Sequence, residues 1–143
     1  MNPRIGFGLA GAVVLGAVVA GLIVLGSPGE ERARRLDDRR VRDLSSIDAS
    51  TDLFWTREER LPESLAELAE APGVPISIVD PASGEPYEYI PTDSMQYTLC
   101  ADFETVSEEV STVARLNRWN HGVGRHCYTL EAEDMNERER PPQ

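Results

Sequence analysis

Three observations in the sequence predict an α+β protein held to a membrane. Residues 5–25 hold sixteen hydrophobic residues and five glycines, with no polar side chain. Residues 28–60 repeat apolar side chains in steps of three and four, the period of a helix with one buried face. Beyond Pro62 the pattern changes to short alternating runs separated by Pro, Gly, Asp and Ser, as in antiparallel strands and turns. The 143 residues thus divide into a membrane anchor (1–27), a long amphipathic helix (28–60), a small α+β domain (61–130) and a charged, Pro-ended tail (131–143), expected to be disordered.

The first segment is read as a transmembrane helix. Its 21 residues, at about 1.5 Å of rise each, match a hydrocarbon core of roughly 30 Å. The apolar region of a secretory signal is shorter, roughly 7–15 residues, although Val24 and Gly26 would also serve as the small positions before a cut. Gly8, Ala12, Gly16 and Ala20 recur every four residues and form one stripe of small side chains. Such stripes let helix backbones approach closely in lipid, so the expected partners are the bilayer and other membrane helices.

Charge excludes other partners. The chain has 14 basic and 25 acidic residues, and every basic one is Arg. All the acids lie at or after Glu30. A soluble part this acidic does not offer the basic face that nucleic acid or anionic lipid requires. Topology receives two opposing signals. Arg32, Arg34, Arg35, Arg39, Arg40 and Arg42 follow the apolar segment closely, and the positive-inside rule would keep them in the cytoplasm. Cys100 and Cys127 are placed to pair in an oxidising compartment instead. The reading adopted is N-terminus in and C-terminal domain out; a bacterial inner (cell) membrane, with the domain periplasmic or extracellular, is what the resemblance to an extracytoplasmic family given below implies.

Ser27, Pro28, Glu30 and Glu31 suit the start of the long helix, through a cap, a first-turn proline and acids at the positive end of the dipole. Ala33, Leu36, Leu44, Ile47 and Phe54 form its stripe, with Arg40 and Thr51 filling the gaps. The remaining charges read as a solvated face. Pro62 ends the helix. Leu65, Leu68 and Ala69 give a short helix to about Ala71, closed by Pro72 and Gly73. Strands are expected at residues 76–79, 87–90, 97–101 and 126–130, with a turn at 80–84 in which Asp80 accepts backbone N–H groups and Gly84 supplies a positive φ. Tyr87 and Tyr89 share a face and would pack on the long helix. Residues 102–118 read as a loop or partial helix.

Two stretches resemble the type IV pilin-like proteins, closest to the major pseudopilin of type II secretion. Leu61-Pro62-Glu63-Ser64-Leu65-Ala66-Glu67-Leu68 is like the Leu-Pro-x-Ser-Leu-x-x-Leu that follows that family's long helix. Asp80-Pro81-Ala82-Ser83-Gly84-Glu85-Pro86-Tyr87-Glu88-Tyr89 is like its Asp-Pro…Gly-x-Pro-Tyr-x-Tyr hairpin. The resemblance covers roughly residues 28–100. It implies a pilin-like fold, with the apolar helix continuing into the amphipathic one and the latter lying on a small sheet, and pilin-like subunits as partners. Gly6-Phe7 resembles the family's processing site, but Gly11 stands where the family has the assembly Glu. The implied protein is a permanently anchored relative, not a filament subunit. The calcium loop of the family is not carried over, because Asp93, Asp102 and Glu104 lack its ligand spacing.

Little in the chain suggests chemistry. A Cys100–Cys127 disulfide would close a loop of about 28 residues and stabilise by roughly 3–4 kcal/mol. His121, His126, Cys127 and Cys100 match no zinc spacing, so no metal and no cofactor is expected. Trp55 and Trp119 read as core or interface residues. The function expected is non-enzymatic, structural or protein-interacting. The rival is an exported small binding domain with a ligand at loops 93–104 or 119–125.

Overall fold

The computed structural model describes residues 3–24, 28–73, 75–107 and 118–135. The chain forms two compact units, Met1–Ala33 and Arg34–Gln143. The element order is α1 (Pro3–Val24), α2 (Pro28–Glu58), α3 (Leu65–Glu70), β1 (Glu88–Pro91), β2 (Gln96–Phe103) and β3 (Gly124–Glu131).

In the first unit, α1 is helical throughout its 22 residues. Among the described residues, no helix is long and apolar enough to cross a membrane, and the side chains of α1 are described for residues 11–21 alone. The transmembrane span expected over residues 5–25 is therefore not found as a span among the described residues; a helical backbone is, as far as Val24. Val13, Val14, Leu15, Val18 and Val19 are exposed.

The second unit is an α+β layer. Its three-stranded antiparallel sheet has the order β1-β2-β3. Alternation divides β2 cleanly. Tyr97, Leu99, Ala101 and Phe103 point into the core, together with Tyr128 and Leu130 of β3. From α2 come Leu44, Ile47 and Phe54, and from α3 Leu65 and Leu68. Thr51, expected to fill a gap in the stripe, is fully buried and donates its hydroxyl to the Ile47 carbonyl at 2.9 Å. The single stripe thus becomes the centre of the helix–sheet interface.

Local chemistry accounts for the element ends. Helix α2 stops at Glu58, and Glu59 turns left-handed (φ 54°) while its N–H still donates to the Trp55 carbonyl at 2.8 Å. The stop precedes Pro62 because a residue ahead of a proline avoids helical geometry, and the chain must turn before it. Ser64 caps α3 by accepting the Glu67 N–H at 3.2 Å, and Glu67 reaches back to the Glu63 N–H at 2.6 Å. The turn behaves as expected. Ala82 and Ser83 donate to Asp80 Oδ1 at 2.8 and 2.9 Å, and Gly84 has φ 74°.

Two expectations are corrected. Residues 76–79 do not form a strand; Val79 makes one isolated bridge to Pro86, and the adjacent Tyr87 N–H donates to the Ile78 carbonyl. With Pro81 and Pro86 bounding so short a turn, the ladder has few donors with which to continue. The disordered tail expected from Glu131 does not hold for its first five residues. Glu131 closes β3, Ala132 is 1% exposed and donates to Met95, and the Glu133 and Met135 N–H groups donate to Asp52 and Thr56 of α2. Residues 136–143 lie outside the described residues, as do 108–117 of the expected loop, Gly26, and the expected cap Ser27.

Ile47 is fully buried between helix and sheet, so Ile47→Ala should cost about 2–5 kcal/mol in urea denaturation. Ile90→Ala, on the solvent face of β1 and 43% exposed, should cost well under 1 kcal/mol. Equal losses would contradict the assignment of the core face.

Candidate functional site

A buried charge organises one end of the second unit. Arg40 sits on the inner face of α2 at 4% exposure. Its Nε donates to Asp80 Oδ2 at 2.5 Å and its Nη2 to Asp80 Oδ1 at 3.3 Å. Nη1 donates to Asp37 Oδ1 at 2.8 Å and to Glu104 Oε1 at 3.4 Å. Asp37, one helical turn earlier and 2% exposed, also accepts the backbone N–H groups of Glu104 and Thr105 and the Thr105 hydroxyl. The turn carboxylate Asp80 therefore serves its own backbone and α2 together. Asp37 fastens the chain as it leaves β2.

The electrostatics follow from these partners. Burial works to raise the Asp80 carboxyl, but Arg40 and the Ser83 and Ala82 N–H groups outweigh it and bring it down to about 2. For Asp37, burial is likewise overcome by Thr105, Glu104 and Arg40, and the carboxyl is lowered. Arg40 is raised, chiefly by its hydrogen bond to Asp80. The expectation of a solvated charged face on α2 thus fails for Asp37 and Asp52, which are buried, while Arg40 is buried at its stripe position as expected. The sequence signal was Arg40 itself: an arginine at a stripe position must be buried, and a buried arginine requires carboxylates.

The same device recurs along α2. Tyr87 Oη donates to Asp43 at 3.0 Å, and Tyr97 Oη to Asp48 at 2.6 Å. Both phenols are raised, first by burial and then by these carboxylates. Tyr87 thus meets the long helix as expected. Tyr89 instead donates to the Pro62 carbonyl at 3.0 Å and packs its ring on Tyr97, and burial pushes it up to about 12.

Beside Arg40 lies an open cavity of about 280 Å³, lined among others by Asp80, Tyr87, Glu88, Cys100 and Arg125. Cys100 and Cys127 face each other in the β2–β3 register and form a disulfide, with Cα atoms 4.1 Å apart. It lies on the sheet face turned away from α2.

The other sequence candidates are not gathered into a site. Ala12, Gly16 and Ala20 are exposed on α1, and a Cβ at Gly16 would meet nothing within 4 Å; the surroundings of Gly8 lie outside the described residues. His121 stacks on Phe103 with centroids 3.7 Å apart, while His126 packs against Tyr128. Among the described residues, no group of three or more His, Cys, Asp or Glu is placed to hold a metal. Trp119 is buried against Tyr128, and Trp55 is partly buried against the core.

No family model matches the chain, and no curated protein or solved structure matches it either. The arrangement can anchor elements through fixed charge and can hold a small polar ligand in the cavity.

Arg40→Met should destabilise by about 3–5 kcal/mol in denaturant, because it leaves the buried Asp37 and the half-buried Asp80 without their guanidinium. The pH dependence has a definite sign. Asp80 is lowered from 3.8 to about 2, so its contribution is present above pH 3.8 and is lost as pH falls through about 2. Thermal melts across that window should fall steeply for the native chain and less steeply for Asp80→Asn. Parallel acid limbs would contradict the pairing.

Proposed function

We propose that the chain is a single-pass, membrane-anchored envelope protein with a pilin-like extracytoplasmic domain and a structural or protein-interacting role. The disulfide carries this reading. Cys100 and Cys127 are bonded across adjacent strands, and such bonds persist in oxidising compartments. The uncharged segment at residues 5–25 supplies the anchor, with α1 exposing valines and a leucine that have no partner among the described residues. Support for the pilin-like part comes from the element order and from the two quoted stretches: Pro62 is buried beside the helix end, and the turn at Asp80 leads into a hairpin. A scaffold role is supported by the carboxylates and arginine of α2 that hold it on the sheet, among them Asp37, Arg40, Asp43, Asp48 and Asp52.

A second reading, an exported small binding domain, is favoured by the cavity beside Arg40. The two readings differ in attachment. In a bacterial host, the full chain should sediment with membranes after alkaline carbonate washing, carry no free thiol on intact-mass analysis after alkylation, and be cut by protease added outside spheroplasts. Release into the soluble periplasm with a mass beginning after residue 24 would favour the second reading. Two alkylated cysteines and protection from external protease would overturn the topology.

A further inference from the structure

The disulfide's surroundings are unequal on its two sides. We propose that Cys100–Cys127 is a thiol-exchange site of fixed polarity. An incoming thiolate attacks Sγ of Cys127, and Cys100 departs as a thiolate held by Arg125. The site lies within the sheet and does not depend on whether the chain is anchored.

Exchange requires a thiolate to approach along the S–S axis, from the side opposite the leaving sulfur. That axis runs across the sheet. Glu88 of β1 is in register with Cys100 of β2, which is in register with Cys127 of β3, and residues opposite one another share a face. Attack on Cys100 therefore comes from the β1 side. There the Glu88 side chain is held by Arg125, with Nη2 and Nε 2.7 and 3.2 Å from Oε2, and the pair stands in the way of an incoming thiolate. Cys100 is also only 3% exposed. Attack on Cys127 comes from the other side. β3 ends the strand order, its outer edge pairs with no strand among the described residues, and Cys127 is exposed.

The leaving side is equally biased. Arg125 Nη2 lies 3.6 Å from Cys100 Sγ. An adjacent guanidinium stabilises a thiolate, and a more stable thiolate leaves faster. Cys100 and Arg125 both line the 280 Å³ cavity, which gives the freed side chain room to settle beside the cation. The step balances. The attacking thiolate forms a bond to Cys127 Sγ, the S–S bond breaks, and its electron pair goes to Cys100 Sγ. The incoming sulfur is oxidised and Cys100 reduced, with no proton transferred. The co-reactant is a small soluble thiol; a second equivalent would release Cys127.

The test uses the full chain and glutathione. After brief exposure to limiting glutathione, the reaction is quenched in acid, free thiols are capped with a maleimide, and the peptides are mapped by mass. The expected result is glutathione on Cys127 and maleimide on Cys100. Arg125→Ala should slow exchange on the order of tenfold, and Arg125→Lys should restore most of the rate. Glu88→Ala, which removes the obstructing side chain, should let some adduct form at Cys100 while the thermal melt stays close to that of the native protein, whereas general loosening of the fold would lower it. Glutathione on Cys100, an equal division in the native protein, or exchange only in urea would overturn the proposal.

Discussion

A guanidinium buried under a sheet must be answered by carboxylates, and at Arg40 that requirement ties together three parts of the chain distant in sequence. Asp37 answers from the preceding turn of α2, Asp80 from the turn ahead of β1, and Glu104 from the end of β2. Paired in this way, the charges contribute little net stability compared with a well-packed apolar core of the same volume. What they contribute is position. The Arg40–Asp37 pair travels with α2, but any other docking of the helix would part Arg40 from Asp80 and Asp37 from the Glu104 and Thr105 amides, and each such loss is costly for a buried charge. The apolar centre made by Leu44, Ile47, Thr51 and Phe54 supplies adhesion, and the charges decide where it is applied.

The same logic explains the acidity of the helix. Carboxylates from α2 accept hydrogen bonds that regular structure leaves unmade. Asp37 takes two backbone N–H groups beyond β2, and Asp52 takes the Glu133 N–H beyond β3. Asp43 and Asp48 take the tyrosine hydroxyls that reach through the core. A small three-stranded sheet thus gains a polar frame around a modest hydrophobic interior, and the cross-strand disulfide fixes the register of the two longest strands on the opposite face.

Much of this was legible in the residues. The helical stripe, the short helix after Pro62, the Asp80–Gly84 turn and the pairing of Cys100 with Cys127 are local or nearly forced by composition. The strand expected at residues 76–79 failed because alternation of apolar residues reports a half-buried extended segment, and Pro81 and Pro86 limit how far it can pair. Burial of Asp37 and Asp52 could not be read, because their partners are backbone N–H groups some 67 and 81 residues away, and the sequence does not mark which amides will lack a carbonyl. The start of the charged tail was misread for the same reason: composition suggested disorder, while Ala132 and the Glu133 amide are held by particular acceptors. As for function, the proposed attachment and compartment rest on residues 5–25 and the cysteines.

The claim that Asp37 holds the chain leaving β2 can be examined amide by amide. Native-state hydrogen exchange followed by NMR should show the Glu104 and Thr105 amides protected in the native protein. They should lose that protection in Asp37→Asn, while the amides of the β2–β3 ladder keep theirs. Glu104 and Thr105 amides that exchange as fast in the native protein as in an unstructured chain would contradict the account.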